Sequence, residues 1–267
     1  MAIVIGITHT KGGTGKSTTA VNMSAGLAKK NKKVLLIDFD QQGTTSKFFG
    51  VHSDPEQNDT VLNLIESARY NPKNAILGVS DNLHLIPNHP FLNGYEPALI
   101  NRENVNFFLK RQIDGLRDLF DYIIIDTAGA DSYLFLHMVL RAVDDIIIPS
   151  KATNADLGEL SVIYKNIALA MDDNPALVQP KLLLTQTISV SKKQKELIQE
   201  IASNQGVASK LFKQTIRNTA SLANMRFKSF LGEDIGFVGG DVFSSDPGSP
   251  GAQDYEKFVA ELMEMQA

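Results

Sequence analysis

A cluster of glycines and lysines near the start of the chain has the composition of a phosphate-binding loop. It lies in THTKGGTGKSTT (Thr8 to Thr19), between an apolar run that predicts a strand and residues that predict a helix. Glycines let the backbone curl so that successive N–H groups point at one phosphate, and the helix N-terminus adds its positive dipole end. Lys16 would reach the β and γ phosphates, and the Ser17 hydroxyl would ligate magnesium. The alternative, a glycine turn with solvated lysines, does not account for the flanking strand and helix.

The loop departs from the general pattern in two ways. The pattern G-x-x-x-x-G-K-[ST] requires a glycine where this chain has Thr10. A second lysine, Lys11, stands directly before the glycine pair Gly12 and Gly13. The loop therefore predicts nucleotide binding together with an extra cation whose role the general pattern does not explain.

Three aspartates at the ends of apolar runs predict an acidic side of the same site. Asp38 and Asp40 lie two residues apart in KKVLLIDFD, and side chains two apart on a strand face the same way. Asp126 ends the run YIIID, as a metal-holding strand requires. These carboxylates would hold magnesium and position an attacking water, although Asp40 could instead open a turn or cap a helix.

The elements around these residues alternate compact β-branched runs with longer, one-sided helical patterns. Most runs are continuously apolar, so they predict strands that are buried on both faces. The predicted strands are Ala2–Thr8, Lys33–Asp38, Leu83–Pro87, Tyr122–Thr127, Ile146–Ser150, Lys181–Gln186 and a weaker Phe212–Ile216. The fold class that follows is α/β, a P-loop NTPase with a mostly parallel twisted sheet and helices on both faces.

Helical spacing and loop composition complete the outline of the chain. The predicted helices are Ser17–Lys30, Asn104–Phe120, Asn154–Met171 and a final amphipathic helix over 252–265. The segment 236–251 is rich in glycine, serine and proline, which predicts an exposed, flexible loop. A length of 267 residues fits one domain over 1–267 better than two small ones.

Composition limits the classes of protein to which the chain can belong. It contains no cysteine, which excludes disulfides, thiolate metal sites and iron–sulfur clusters. A net charge of −4 argues against coating nucleic acid by bulk charge, although a local basic patch stays open. The sequence has no secretory signal pattern, and no apolar run reaches the roughly 18 residues of a spanning helix. We therefore expect a soluble cytoplasmic protein without membrane contact.

The segment KGGTGKST, with a lysine before the glycine pair, resembles the deviant Walker A box of the ParA/MinD family of ATPases. KKVLLIDFDQQGTTSKFFG resembles that family's second-strand motif, with Gln41 replacing its usual proline, and YIIIDTAGA resembles its Walker B strand. The resemblance implies an ATP and Mg²⁺ site and a homodimer in the ATP state, where Lys11 reaches across the interface to the other subunit's nucleotide. It implies catalytic roles for Lys11, Lys16 and Asp40 and metal-binding roles for Ser17, Asp38 and Asp126.

The resemblance also assigns the residues around the nucleotide. The implied phosphate-loop contacts are Lys11, Gly12, Gly13, Thr14, Gly15, Lys16, Ser17 and Thr18. Thr185 and Gln186 lie where the family's adenine-contacting strand ends, so they are candidates for base contact. The alternative is that they are polar residues that merely end a strand.

Three weaker matches favour the ParA branch, in its short form without an N-terminal DNA-reading domain. They are NLHLIPNHPFLNGYEPAL, LFKQTIRNTASLANM and GAQDYEKFVAEL, in the order that the branch has them. The branch implies an ATPase that partitions plasmids or chromosomes. Its ATP-bound dimer would bind double-stranded DNA without sequence preference, and a ParB-type centromere-binding partner would stimulate its weak hydrolysis. Such a protein would lie on the nucleoid.

Nonspecific DNA binding requires exposed cations that contact phosphates. ParA carries an arginine in a short late helix where this chain has the stretch 219–221, Thr-Ala-Ser. The remaining candidates are Arg217, Arg226 and Lys228. A second cluster is formed by Lys192, Lys193 and Lys195, which a solvated helix face explains equally well.

Other functions within the superfamily remain as alternatives. A MinD-like membrane-bound regulator needs a basic amphipathic C-terminal helix, whereas this chain has Glu256, Glu261 and Glu264 there against one lysine. Other positioning or regulatory ATPases of the family stay open, as does a P-loop kinase or synthetase acting on a small substrate. The phosphate site alone does not name the acceptor.

Overall fold

A computed structural model describes residues 1–51, 54–67, 69–129, 132–188, 191–203, 209–225 and 240–266. Within them, one sheet has seven strands in the order β3-β4-β2-β5-β1-β6-β7. The strands are β1 Ile3–Ile7, β2 Val34–Phe39, β3 Leu77–Ser80, β4 Leu83–Ile86, β5 Tyr122–Thr127, β6 Asp145–Lys151 and β7 Lys181–Thr185. β3 and β4 are antiparallel, and the other neighbouring pairs are parallel. The predicted fold class is confirmed.

Twelve α-helices lie in the part of the chain that the structure describes. They are α1 Lys16–Lys29, α2 Thr44–Phe48, α3 Val61–Glu66, α4 Glu96–Leu99, α5 Phe108–Asp114, α6 Tyr133–Ala142, α7 Asn154–Gly158, α8 Leu160–Met171, α9 Lys192–Ser203, α10 Ala220–Ala223, α11 Val242–Ser245 and α12 Pro250–Met265. Short 3₁₀ turns lie at Pro72–Ala75, Leu92–Tyr95, Val105–Phe107 and Arg117–Leu119.

Helices pack on both faces of the sheet because its strands are apolar on both sides. Along β2, Leu35 and Ile37 belong to one core cluster, whereas Val34 and Leu36 belong to the other. The first cluster also contains residues of α3, α5, α6 and α8, and the second contains residues of α1 and α12. The central strands β2, β5 and β1 are neighbours, so their carboxyl ends bring the predicted aspartates beside the glycine loop.

The predicted strand Phe212–Ile216 is wrong. The backbone N–H groups of Phe212 and Ile216, at the two ends of this segment, donate hydrogen bonds to β7 at 3.0 and 2.9 Å. Between them, the N–H groups of Lys213 and Gln214 donate to the carboxylate of Glu261 on α12, both at 2.8 Å. A side chain therefore takes the hydrogen bonds that a continuing strand ladder would need, and only isolated bridges form.

In two regions the observed helices are shorter than the helices that the sequence predicted. The prediction over 104–120 is reduced to α5 between two 3₁₀ turns, because Asn104 has a left-handed φ of 59° and α5 ends before Gly115. The prediction over 154–171 divides into α7 and α8, whose boundary falls at Glu159. Helix α6 and the half-exposed edge strand β3 were not predicted, because neither has a long periodic pattern.

The C-terminal segment also differs from its prediction. Residues 236–239 lie outside the described residues, and the rest of the predicted loop contains α11. The last helix begins at Pro250, two residues before the predicted start, with the Ser249 side chain capping it. Its apolar face is packed in the core through Tyr255, Phe258 and Val259. None of the described helices is long and apolar enough to cross a membrane.

Candidate functional site

The glycine loop joins the end of β1 to the start of α1 at the carboxyl edge of the sheet. Gly13 and Gly15 have left-handed φ angles of 71° and 97°, which non-glycine residues adopt with strain. Gly12 faces open space, since nothing lies within 4 Å of where its Cβ would be. The loop thus curls around an open centre directly before a helix N-terminus, which is the geometry that binds an anion.

The side chain of Lys16 lies over this loop. It is only 8 % exposed, and its Nζ donates to the backbone oxygen of Lys11 at 3.2 Å. Nζ also lies 3.9 Å from where a Cβ would stand on Gly129, the glycine that follows β5. The ammonium is therefore held at the mouth of the loop, where it can meet a phosphate.

A cleft of about 480 Å³ opens at this loop. Its lining residues are Thr10, Gly12, Gly13, Gly15, Lys16, Ser17, Thr18, Asp40, Gln42, Thr44, Gly129 and Gln186. Six of the eight predicted phosphate-loop residues and Asp40 are therefore brought together around one space, whereas Lys11 and Thr14 do not line it. Its polar lining and its size suit the phosphate part of a nucleotide.

Two predicted carboxylates, Asp38 and Asp126, lie side by side in the sheet. They are paired in register between β2 and β5, and both are fully buried. Burial and the charge of Asp126 raise the pKa of Asp38 to about 8. Burial likewise raises the pKa of Asp126 to about 6, although a hydrogen bond from Thr45 opposes this. Two buried like charges favour a shared proton or a bound cation.

Hydroxyl groups and one backbone N–H hold the two carboxylates in place. The backbone N–H and hydroxyl of Ser46 donate to Asp38 Oδ2 at 2.8 and 2.7 Å, and the Thr45 hydroxyl donates to Asp126 Oδ2 at 2.7 Å. Asp126 Oδ1 is buried, and the Ser17 hydroxyl also acts on this carboxylate as a hydrogen-bond donor. An acceptor in this position fits a water of a magnesium ion, which usually keeps several waters and phosphate oxygens as ligands.

Asp40 lies at the turn after β2 and lines the cleft. Its Oδ1 accepts from the Gln42 N–H at 2.9 Å, so it also stabilises the turn, as the alternative interpretation held. Gly43, next in this turn, has a φ of 60° and lies against Asn88, only 2.6 Å from a Cβ position. A side chain at Gly43 would displace Asn88, so the glycine keeps the turn close to the sheet.

Lys11 points away from the centre of the loop. Its Nζ forms an ion pair with Asp156 Oδ1 on α7 at 2.7 Å, where the lysine side chain is 45 % exposed and the aspartate 4 %. The Lys11 N–H donates to Nδ1 of His9 at 2.9 Å, and His9 is buried. Burial, with the charges of Lys16 and Lys11, lowers the pKa of His9 to about 4. His9 is therefore a neutral acceptor that fixes the backbone at Lys11.

Thr185 and Gln186, whose contact with a base stays a prediction, both hold the loop. The Thr185 hydroxyl donates to the backbone oxygen of Thr14 at 2.7 Å, and the Gln186 side-chain amide donates to that of Gly13 at 2.8 Å. Gln186 has a left-handed φ of 52°, which directs its side chain back over the loop. Their donors are engaged by the loop, while both residues line a neighbouring cleft of about 250 Å³.

The predicted DNA contacts are divided between described and undescribed parts of the chain. Arg217 is bound to Asp254 through Nε at 2.8 Å and Nη2 at 2.7 Å, and its side chain is 36 % exposed. Arg226 and Lys228 lie outside the described residues. The second cluster lies on α9, where Lys192 pairs with Glu196 one turn along the helix at 3.8 Å.

Sequence reasoning missed His9, Asp156 and the bracing role of Thr185 and Gln186. His9 adjoins the loop in sequence, and the pattern Thr153-x-x-Asp156 was visible as a helix start. Neither pattern predicts that Asp156 pairs with Lys11, because this ion pair joins two distant parts of the chain.

Comparisons with known proteins identify the family. A family model described as an AAA domain matches residues 2–182. The chromosome partitioning protein ParA of Myxococcus xanthus is 30 % identical, and the match covers 97 % of this chain and 87 % of that protein. The chain belongs to the ParA family. The sporulation initiation inhibitor protein Soj of Bacillus subtilis is 28 % identical over 98 % of both chains.

The solved structures extend the similarity in fold. Cobyrinic acid a,c-diamide synthase from Mycobacterium smegmatis, with bound ADP and magnesium, superposes with a TM-score of 0.79 at 23 % identity. The match covers 99 % of this ParA-family chain and 95 % of the synthase chain. At this identity the likeness concerns the fold alone, and it shows that one architecture is shared by proteins with different names.

Proposed function

We propose that the protein is a magnesium-dependent ATPase that partitions DNA by changing between a monomer and an ATP-bound dimer. The observation that carries this proposal is the position of Lys11. The lysine lies beside the phosphate loop but pairs with Asp156, outside the cleft that Lys16 lines. A cation placed next to the loop but held away from its centre is suited to contact the nucleotide bound by a second subunit.

The described residues fit ATP and magnesium. The loop glycines and the start of α1 would bind the β and γ phosphates, with Lys16 over them. Ser17 and the buried pair Asp38 and Asp126 would hold magnesium, directly and through water. Magnesium, when bound, would neutralise the charge that develops on the phosphates. Asp40, which lines the cleft, would orient the attacking water.

Dimerisation follows from the chemistry of Lys11. In the proposed dimer, two loops face each other and each Lys11 would leave Asp156 and contact the nucleotide of the other subunit. A positive group supplied by a second subunit stabilises charge at the transferred phosphate, as an arginine finger does. Hydrolysis would then depend on dimerisation, and ADP would favour the monomer.

DNA and a partner protein complete the proposal. The relative from Myxococcus xanthus, named as a chromosome partitioning protein, supports DNA as the cargo. Binding would be nonspecific and restricted to the ATP-bound dimer on the nucleoid, through Arg226, Lys228 and any part of Arg217 that Asp254 leaves free. A ParB-type centromere-binding protein would stimulate hydrolysis and release the dimer.

The proposal is tested by sedimentation of the purified protein with magnesium and either ATP or ADP. We expect a dimer with ATP only, and Lys11→Ala should abolish it. Lys30→Ala is the matched control, since Lys30 is 43 % exposed and pairs with Glu256 at 3.6 Å. Binding to random duplex should require ATP and weaken as salt rises. A dimer unchanged by Lys11→Ala, or DNA binding indifferent to ATP, would contradict the proposal.

A MinD-like membrane function is less well supported. The last helix, α12, buries its apolar face in the core through Tyr255, Phe258 and Val259. An interfacial helix must offer such a face to lipid, together with basic residues beside it. Binding to anionic vesicles with ATP, in place of DNA, would favour this alternative.

A further inference from the structure

A third lysine, Lys151, lies beside the phosphate loop and has no assigned role. Lys151 ends β6, and its Nζ lies 4.0 Å from where a Cβ would stand on Gly13. Within the described residues, no hydrogen bond or ion pair engages this ammonium. Its charge acts on Asp156, the carboxylate that holds Lys11. Two lysines therefore lie near one buried acid, and only one of them is paired with it.

Asp156 needs a positively charged partner when Lys11 is not paired with it. Its side chain is 4 % exposed, and its Oδ2 accepts from the Thr153 hydroxyl at 2.5 Å. The pKa of Asp156 lies below its usual value although burial raises it, because hydrogen bonds from Lys11 and Thr153 and the charges of Lys11 and Lys151 hold the carboxylate ionised. Departure of Lys11 would leave the charge of this almost fully buried carboxylate unpaired, which carries a free-energy cost. Such a cost would oppose the departure of Lys11 that the proposed function requires.

The backbone keeps Lys151 close to this acid. The Thr153 N–H donates to the backbone oxygen of Lys151 at 2.8 Å, and the Thr153 side chain caps α7 at Asp156. The ammonium of a lysine lies at the end of a flexible four-carbon side chain, so that of Lys151 can move without a change in the backbone. Lys151 is thus tethered through a two-residue turn to the acid on which it acts.

We propose that Lys151 replaces Lys11 as the counter-ion of Asp156 when Lys11 leaves for the nucleotide of the other subunit. This exchange rests on the proposed function and explains how a buried acid can release its lysine. Asp156 then holds Lys11 in the monomer without trapping it there. Lys151 is a positioning residue in this scheme, because it acts through Asp156 and touches no phosphate.

The first test needs neither nucleotide nor dimer. Lys11→Met, Lys151→Met and the double variant are compared by urea denaturation of the nucleotide-free protein. Each single variant should change the unfolding constant little, since the other lysine pairs with Asp156. The unfolding equilibrium constant of the double variant should rise at least about tenfold more than the product of the two single-variant increases. Lys11→Met with Lys165→Met, an exposed lysine on α8, should give independent effects.

Asp156→Asn identifies the acid responsible. In that background the coupling between the two lysines should disappear, because no charge is left to balance. Independent effects of the two lysines in the unmodified background would overturn the proposal. This outcome does not depend on whether the protein dimerises, so it separates failure of the exchange from failure of the proposed function.

The second test measures the dimer by sedimentation with magnesium and ATP. Lys151→Met should raise the dimer dissociation constant at least about tenfold, and adding Asp156→Asn should restore it to within about threefold of Asp156→Asn alone. Binding of ADP to the monomer should stay unchanged in Lys151→Met. A dimer defect that persists after Asp156→Asn, or weaker ADP binding, would place Lys151 on a phosphate and overturn the exchange.

Discussion

The Asp38→Asn substitution removes one of two buried carboxylates that lie side by side, and it should raise the free energy of unfolding at neutral and alkaline pH. Asp38 and Asp126 are paired in register and fully buried. Asparagine has the same shape and can still accept the hydrogen bonds from the Ser46 N–H and hydroxyl. The substitution therefore deletes the charge with little change in packing, while it also removes a predicted metal-site oxygen.

The size of the effect follows from the pKa of Asp38. This pKa is 3.8 in an unperturbed side chain and about 8 in the folded protein. Between these values the unfolded chain has lost a proton that the folded protein keeps, so the free energy of unfolding falls as pH rises, by about 1.4 kcal/mol per unit at most. Sharing of the proton with Asp126 and weaker bonds from Ser46 reduce the expected gain to about 2–4 kcal/mol at pH 8 and near zero at about pH 5.

Urea denaturation of the magnesium-free, nucleotide-free protein at both pH values measures this gain. Asp81→Asn, at an exposed carboxylate in the turn between β3 and β4, is the control. Its free energy of unfolding relative to the parent protein should be the same at the two pH values. Magnesium and ATP together should stabilise the parent protein and have a much smaller effect on Asp38→Asn. A variant that is less stable than the parent at pH 8, or equally stabilised at both pH values, would refute the reasoning.

Three further predictions concern His9, Thr185 and Arg217. Because folding lowers the pKa of His9 from 6.5 to about 4, stability should fall as pH drops through this range, and His9→Asn, which keeps an acceptor for Lys11, should flatten the fall in urea denaturation. Thr185→Val removes the hydroxyl bond to the loop and should weaken ATP binding about 5-fold in calorimetry; normal affinity would count against the bracing role. Arg217→Ala leaves the buried Asp254 unpaired and should reduce stability by about 1–2 kcal/mol; unchanged stability with weakened DNA binding would instead make Arg217 a free DNA contact.

Local patterns were sufficient to predict the central strands and the phosphate loop. Continuous apolar runs can be satisfied only in a sheet covered on both faces, and β1, β2, β5, β6 and β7 form one. The loop was recognisable because its glycines, Lys16 and Ser17 are contiguous, so their chemistry depends on spacing alone. Asp38 and Asp126 each lie near the carboxyl end of a predicted strand, which predicted one acidic site, whereas the pairing of β2 with β5 was known only from the tertiary structure.

Predictions failed where a distant side chain or a local backbone conformation overrode the pattern. The segment Phe212–Ile216 has the composition of a strand, but Glu261 takes two of its N–H groups. The pattern over 104–120 is helical, yet Asn104 takes a left-handed conformation and only α5 forms. In both cases tertiary hydrogen bonding or backbone geometry outweighs a propensity that amounts to less than about 1 kcal/mol per residue.

The sequence by itself determined that the chain has a phosphate loop with an additional lysine and carboxylates near the ends of apolar strands, because each of these features lies within one contiguous stretch. Only the tertiary structure decided where the charges of those residues are held. Lys11 meets Asp156 and Arg217 meets Asp254, each across a long stretch of chain. Ion pairs of this kind depend on which buried acid the folded core brings near, and no local spacing contains that information.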